Sequence, residues 1–251
     1  MPGVEGRVAL VTGAGRGIGK ATALALASAG ARVMATARSE DQLATLGLDY
    51  VAADLTTPEG RERVVGETRG RLGPIEILVN NAGIGSAVEV AVWLTDTAVW
   101  DETMRVNIDA PFHLTRIVLA EMVERGWGRC VYVSSTAGRY AEPEGVAYNC
   151  SKHALLGLMR SVAADGAAYG VTANAVLPGW VRTEMAERSA AEEARRRDVS
   201  VDEIWAERSA GYAQGRVVTP EEVAETIRFL SSEESSGVNG EAILVALGHN
   251  G

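Results

Sequence analysis

The stretch Thr12-Gly13-Ala14-Gly15-Arg16-Gly17-Ile18-Gly19 decides the fold of this 251-residue chain. Before it, Arg7-Val8-Ala9-Leu10-Val11 has the continuously apolar, β-branched look of a strand buried on both faces. After it, Lys20-Ala21-Thr22-Ala23-Leu24-Ala25-Leu26-Ala27 is built from helix formers, with Gly30 as a stop. A strand, a glycine turn and a helix start together make an anion site. Backbone N–H groups point out of the first turn, and the helix dipole favours a pyrophosphate. The glycines let the chain turn sharply and let a phosphate approach the backbone.

Working outward, the same alternation recurs. Residues 31–37, 48–53, 75–79, 130–133, 171–177 and 240–248 read as further strands, separated by helical patterns such as 57–72 and 98–125. The expected fold is α/β: a single-domain, Rossmann-like doubly wound parallel sheet with helices on both faces, spanning residues 1–251. An apolar fraction of 47% and a charged fraction of 23% are ordinary for one globular domain. A net charge of −9 argues against nucleic acid or an anionic membrane surface as partner. The first residues lack an apolar signal core and no apolar run reaches a membrane span, so the expectation is a soluble, cytoplasmic protein. Cys130 and Cys150 have no metal-ligand company; they suggest buried thiols in a reducing compartment and no metal site.

Chemistry-bearing residues follow the strands. Ile75-Glu76-Ile77-Leu78-Val79 runs into Asn80-Asn81-Ala82-Gly83, and Cys130-Val131-Tyr132-Val133 runs into Ser134-Ser135. Thirteen residues beyond Ser135 stands Tyr148, and four beyond that Lys152, one of only two lysines in the chain. A spacing of four puts phenol and ammonium on one helix face. Tyrosine titrates near 10, and an adjacent lysine cation would lower that value toward acid–base use. Pro111 has no N–H, so the carbonyl of Asn107 loses its helical donor and becomes available to a water at a kink; a kink that serves packing alone is the competing reading.

Together these motifs resemble the short-chain dehydrogenase/reductase family over nearly the whole chain, least over residues 184–217. The resemblance implies hydride transfer between NADP(H) and a carbonyl/alcohol pair, with Asn107, Ser135, Tyr148 and Lys152 as the catalytic set. Gly13, Gly15, Arg16, Gly17, Ile18 and Gly19 would carry the phosphates, Asp54 and Leu55 the adenine, and Asn81, Ala82 and Gly83 would line the cleft. Tyr148 and Lys152 would hold the nicotinamide ribose, with Pro178, Gly179, Val181 and Thr183 around the carboxamide. Where such folds place an acidic ribose ligand, this chain has Ala37 followed by Arg38; with Arg16 as a second cation this favours NADPH over NADH. The alternative leaves both arginines in solvent and gives the ribose to Glu40 or Asp41.

Residues 184–217 fall where the family has its substrate lid, and Ala137, Trp180, Met185, Trp205 and Tyr212 are the candidates to wall the substrate pocket. The run Arg195-Arg196-Arg197 is either a solvated face or a carrier-docking patch. The lid and the late Leu247-Gly248-His249-Asn250 are similar to aromatic-polyketide ketoreductases, which implies a β-keto acyl or polyketide-like ketone, free or carrier-bound. NAD-dependent 3-hydroxybutyrate dehydrogenases are the competing enzyme class, and a non-catalytic dinucleotide-binding regulator the competing class of another kind. Family habit implies a homotetramer or homodimer.

Overall fold

The computed structural model describes residues 3–85 and 90–248. The chain alternates strand and helix in its first half: β1 (Val8–Thr12), α1 (Gly17–Ser28), β2 (Arg32–Ala37), α2 (Glu40–Ala44), β3 (Asp49–Ala52), α3 (Pro58–Arg71) and β4 (Ile77–Asn80). Then come α4 (Thr97–Met104), α5 (Ala110–Arg125), β5 (Gly128–Val133), α6 (Val146–Gly166) and β6 (Val171–Pro178). The last elements are α7 (Glu184–Arg197), α8 (Val201–Ala210), α9 (Pro220–Leu230) and β7 (Ala242–Val245). All strand pairings are parallel, and the sheet order is β3-β2-β1-β4-β5-β6-β7.

Each central strand feeds two cores, which is why its sequence is apolar without alternation. Leu10, Leu78 and Tyr132 join Val118 and Met159 on one face, whereas Ala9, Val11, Val79 and Val131 join Leu26 and Ile227 on the other. Strand order reverses between β1 and β4, so the crevice beyond their carboxyl ends is the place where such a sheet takes a ligand.

Helix starts follow local chemistry. Thr219 and Glu222 form a reciprocal cap within Thr219-Pro220-Glu221-Glu222, and Ser200 with Glu203 forms a second one. The helical stretch anticipated over 98–125 is divided by a widened π-helical segment at Arg105–Asp109, which ends two residues before Pro111. No helix among the described residues is long and apolar enough to cross a membrane. Both cysteines are free; Cys130 is buried, but Cys150 is exposed, contrary to the expectation of two buried thiols, because it lies on the outer face of α6.

Candidate active site

Thr12 closes β1, and its buried hydroxyl ties the glycine loop to the exit of β4. It donates to the Val79 carbonyl at 3.1 Å and accepts the N–H groups of Asn81 and Ala82, each at 2.9 Å. Asn81 answers through Nδ2, donating to the carbonyls of Thr12 at 2.8 Å and Gly13 at 3.2 Å. Gly13 and Gly17 have φ of +64° and +53°, the left-handed region that favours glycine. A Cβ at Gly19 would fall 2.2 Å from the Gly13 carbonyl oxygen. The first turn of α1 carries neither a side-chain cap nor an acidic residue, so its N–H groups, Ile18 among them, suit an anion. This cradle fits a pyrophosphate.

At the adenosine end, Ala37 closes β2, and the exposed Arg38 lies close enough to Asp54, beyond β3, to favour its ionised form. The Asp54 carboxyl is held below its usual range chiefly by the Thr56 N–H, which donates at 2.9 Å, with help from the Thr56 hydroxyl, Arg38 and Arg105. Leu55 is buried, and its carbonyl accepts from Arg61. Arg16 departs from expectation. Its guanidinium pairs with Glu184 at 2.6 Å, at the start of α7, rather than joining Arg38. The pairing follows from close packing: a Cβ on Gly17 would meet Thr183 Cγ2 at 3.1 Å, which brings the first turn of α7 over the loop.

The residues expected to act on substrate converge beyond β4 and β5. Ser135 starts a short 3-10 turn, its Oγ accepting the Ala137 N–H at 3.1 Å, and it lies near enough to the Tyr148 hydroxyl on α6 to favour the ionised phenol. Ser134 donates to the Lys152 carbonyl at 3.0 Å, stitching β5 to α6. The buried Lys152 Nζ donates to the Val133 carbonyl at 2.9 Å and lies 5.5 Å from the centre of the Tyr148 ring. Burial brings the Lys152 ammonium down to about 8. Burial also pushes the Tyr148 phenol up, opposed only by the nearby Ser135 hydroxyl. In the protein alone the phenol is therefore raised, not lowered as the sequence suggested: desolvation dominates, and the ammonium bonds the Val133 carbonyl.

Asn107 sits in the π-helical segment, where the Ala110 N–H reaches back five residues to Arg105. Pro111 has no N–H to give the Asn107 carbonyl. The Asn107 side chain is a clamp. Oδ1 accepts the Ile84 N–H at 2.8 Å, while Nδ2 donates to the Ile84 carbonyl at 2.9 Å and to Ser151 Oγ at 3.0 Å. A Cβ on Gly83 would lie 3.2 Å from Asn107 Oδ1 and 3.5 Å from Lys152 Nζ, so all three meet at one point.

Beyond β6, Gly179 donates to the Val245 carbonyl at 3.1 Å, and the buried Val181 bridges to Val218. Thr183 Oγ1 accepts the Ala186 N–H as the cap of α7, which leaves its O–H to donate elsewhere. Among the substrate candidates only Trp180 and Met185 are open, at 39% and 38% exposure. Ala137, Trp205 and Tyr212 are buried and do not form an open wall. Trp205 donates to Glu187 at 2.8 Å inside the α7–α8 core, and the Tyr212 hydroxyl accepts the Trp180 N–H at 2.6 Å. Arg195, Arg196 and Arg197 are each paired, with Glu192, Glu144 and Glu193 plus Glu207, so the run is no free cationic patch. His249 and Asn250 lie outside the described residues. Sequence reading missed the work of Thr12, Ser134, Ser151 and Ile84. Only Thr12, first residue of the glycine motif, carried a visible signal.

A parallel sheet with this cradle at its switch point and a Ser–Tyr–Lys–Asn cluster beside it defines a dinucleotide-dependent oxidoreductase of the Rossmann type. The model of the short chain dehydrogenase family matches residues 7–194, and the chain belongs to that family. It is 38% identical over 96% of both chains to a Streptomyces virginiae protein described as a ketoacyl reductase of the monensin polyketide synthase. It is 35% identical, again over 96% of both, to 3-oxoacyl-acyl-carrier-protein reductase FabG of Vibrio cholerae. Among solved structures, a variant form of actinorhodin polyketide ketoreductase with NADPH superposes with a TM-score of 0.91 at 34% identity, covering 96% of each chain.

Proposed function

We propose that this chain is an NADPH-dependent ketoreductase acting on a β-keto acyl or polyketide-like ketone, free or held on a carrier. The observation that carries the reading is the convergence of Ser135, Tyr148, Lys152, Asn107 and Gly83 beside the glycine cradle. When bound, the reduced nicotinamide supplies the hydride. Tyr148 then gives its proton to the ketone oxygen while Ser135 hydrogen-bonds that oxygen. A phenol raised by burial keeps its proton at neutral pH, which suits the reducing direction. Lys152 holds the nicotinamide ribose and carries the charge that steadies Tyr148 as its proton leaves. Asn107 positions the β4 exit through Ile84, and its main-chain carbonyl anchors the water that returns a proton to the chain.

Arg38 supports NADPH over NADH, since it follows Ala37 where a 2′-hydroxyl-binding carboxylate would stand. An NAD-dependent hydroxy-acid dehydrogenase, the second reading, is disfavoured on the same ground. Residues 184–217 act as the lid, with Met185 as an open apolar contact at its start and Trp180 open just before it. A homodimer or homotetramer built on the long helices α5 and α6 and a cytoplasmic location complete the reading; Phe112 on α5, 46% exposed, supports the former. The test is NADPH oxidation against a panel of β-keto thioesters and bicyclic ketones. Turnover abolished by Tyr148→Phe upholds it, whereas tight NADPH binding with no turnover on any ketone leaves a dinucleotide-binding regulator.

A further inference from the structure

Arg208 is the least expected charge in the α7–α8 region. Its side chain is only 6% exposed, yet it is a cation, and its Nε is buried with no hydrogen-bond partner. The other guanidinium nitrogens knit α8 to successive turns of α7, bonding the Ala186 carbonyl at 3.2 Å, Ser189 Oγ at 3.1 Å and Glu193 at 2.9 Å. Its Cζ lies over the Trp180 ring, 3.6 Å from the ring centre, with the Trp205 ring centre at 5.1 Å. A buried cation satisfied at some nitrogens and orphaned at another is a poor way to gain stability. It is a good way to hold one planar group in one place.

Trp180 is the group held. It follows Gly179 directly, its N–H is gripped by the Tyr212 hydroxyl at 2.6 Å, and its carbonyl accepts the Val218 N–H at 3.0 Å. Backbone and one ring face are thus both fixed. Arg208 lies over one face of the ring, and Trp180 as a whole remains 39% exposed.

We infer that Arg208 is a positioning residue that sets substrate preference: it presents the outer face of Trp180 as a rigid shelf, on which a flat cyclic ketone stacks better than an acyclic one. The inference rests on the ketoreductase reading above and deepens it by naming the substrate shape. An aromatic or planar ring lying offset on an indole gains beyond simple apolar burial only when the indole is held in place. An acyclic chain conforms to either a fixed or a mobile wall, so it gains little from Arg208.

The experiment compares a bicyclic aryl ketone with an acyclic β-keto thioester in the wild type, Arg208→Met, Arg208→Lys, Trp180→Leu and the double variant Trp180→Leu/Arg208→Met. Arg208→Lys keeps the buried charge opposite Glu193 but has no flat face, so it separates stacking from ion pairing. The expected result is a rise in KM for the ring ketone by about two- to tenfold, the worth of one stacked aromatic pair, in both Arg208 variants. The rise exceeds that for the acyclic ketone, and kcat falls less than KM rises. The double variant is no worse than Trp180→Leu alone, since Arg208 acts through the indole. Equal changes for both ketones, independent effects that multiply in the double variant, or a lower melting temperature with unaltered KM would each overturn the inference. Absence of turnover in the wild type on either ketone instead removes the ketoreductase reading, and this inference with it.

Discussion

Lys152 offers a test that needs no substrate. Its ammonium is buried, donates to the Val133 carbonyl at 2.9 Å, and titrates at about 8 against 10.5 for an ordinary lysine. The folded chain binds this proton more weakly than the unfolded chain. Between those two pH values the unfolded chain carries the extra proton, and raising the pH favours the folded state. At about 1.4 kcal/mol per pH unit, the shift corresponds to a gain of about 3 kcal/mol across that window. Lys152→Met removes the titration and leaves the other groups in place. The assay is urea unfolding of both proteins at several pH values from neutrality to above the ordinary lysine range. The stability of the wild type minus that of the variant should climb by about 3 kcal/mol, most of it above pH 8. For a domain of this size that is a relative shift in melting temperature on the order of 10 °C. A difference that stays flat with pH would refute the reasoning, because it would mean that the ammonium is as well solvated in the folded protein as in the unfolded one.

Other outcomes follow from the same geometry. Arg38→Asp should weaken NADPH binding by at least about tenfold, the usual worth of a charge-assisted contact to phosphate, and improve NADH relative to NADPH; titration calorimetry with both cofactors measures it. Asn107→Ala strips the Ile84 N–H and carbonyl of their partners, which should cost about 2 kcal/mol in denaturant unfolding and lower kcat as the β4 exit loosens. Glu222 titrates at about 2 against an ordinary 4.5 because Arg216 and the Thr219 N–H favour its charged form. The stability it contributes is therefore present above 4.5 and is lost as the pH falls toward 2. Acid unfolding of Glu222→Gln should accordingly show a shallower fall than the wild type across that interval.

The order of strands and helices could be read from residue pattern, because period and punctuation are local. A parallel sheet buried on both faces needs continuous apolar runs, and Val8-Ala9-Leu10-Val11 and Ile77-Leu78-Val79 are such runs. The cap at Thr219 and the glycine turn at Gly13 are legible for the same reason: each is settled by atoms a few residues apart. The placing of Tyr148 and Lys152 one helical turn apart on α6 is local in the same way, and Ser135 comes close to that tyrosine in the folded chain.

Folding together of distant segments decided the rest. Arg16 and Arg38 looked alike as sequence, yet Arg16 is drawn to Glu184, 168 residues on, because α7 packs over Gly17. Trp180, Met185, Trp205 and Tyr212 were equivalent candidates until packing buried Trp205 and Tyr212 and left Trp180 and Met185 open. Tyr148 was expected to be acidified by its lysine, but desolvation, which depends on everything packed around it, pushes it the other way. The amino-acid string by itself determined which elements form and which chemistry they carry, since both arise from neighbours along the chain. Only tertiary structure decided burial, charge partners and the face each side chain presents, because those energies depend on groups that the chain brings together from far apart.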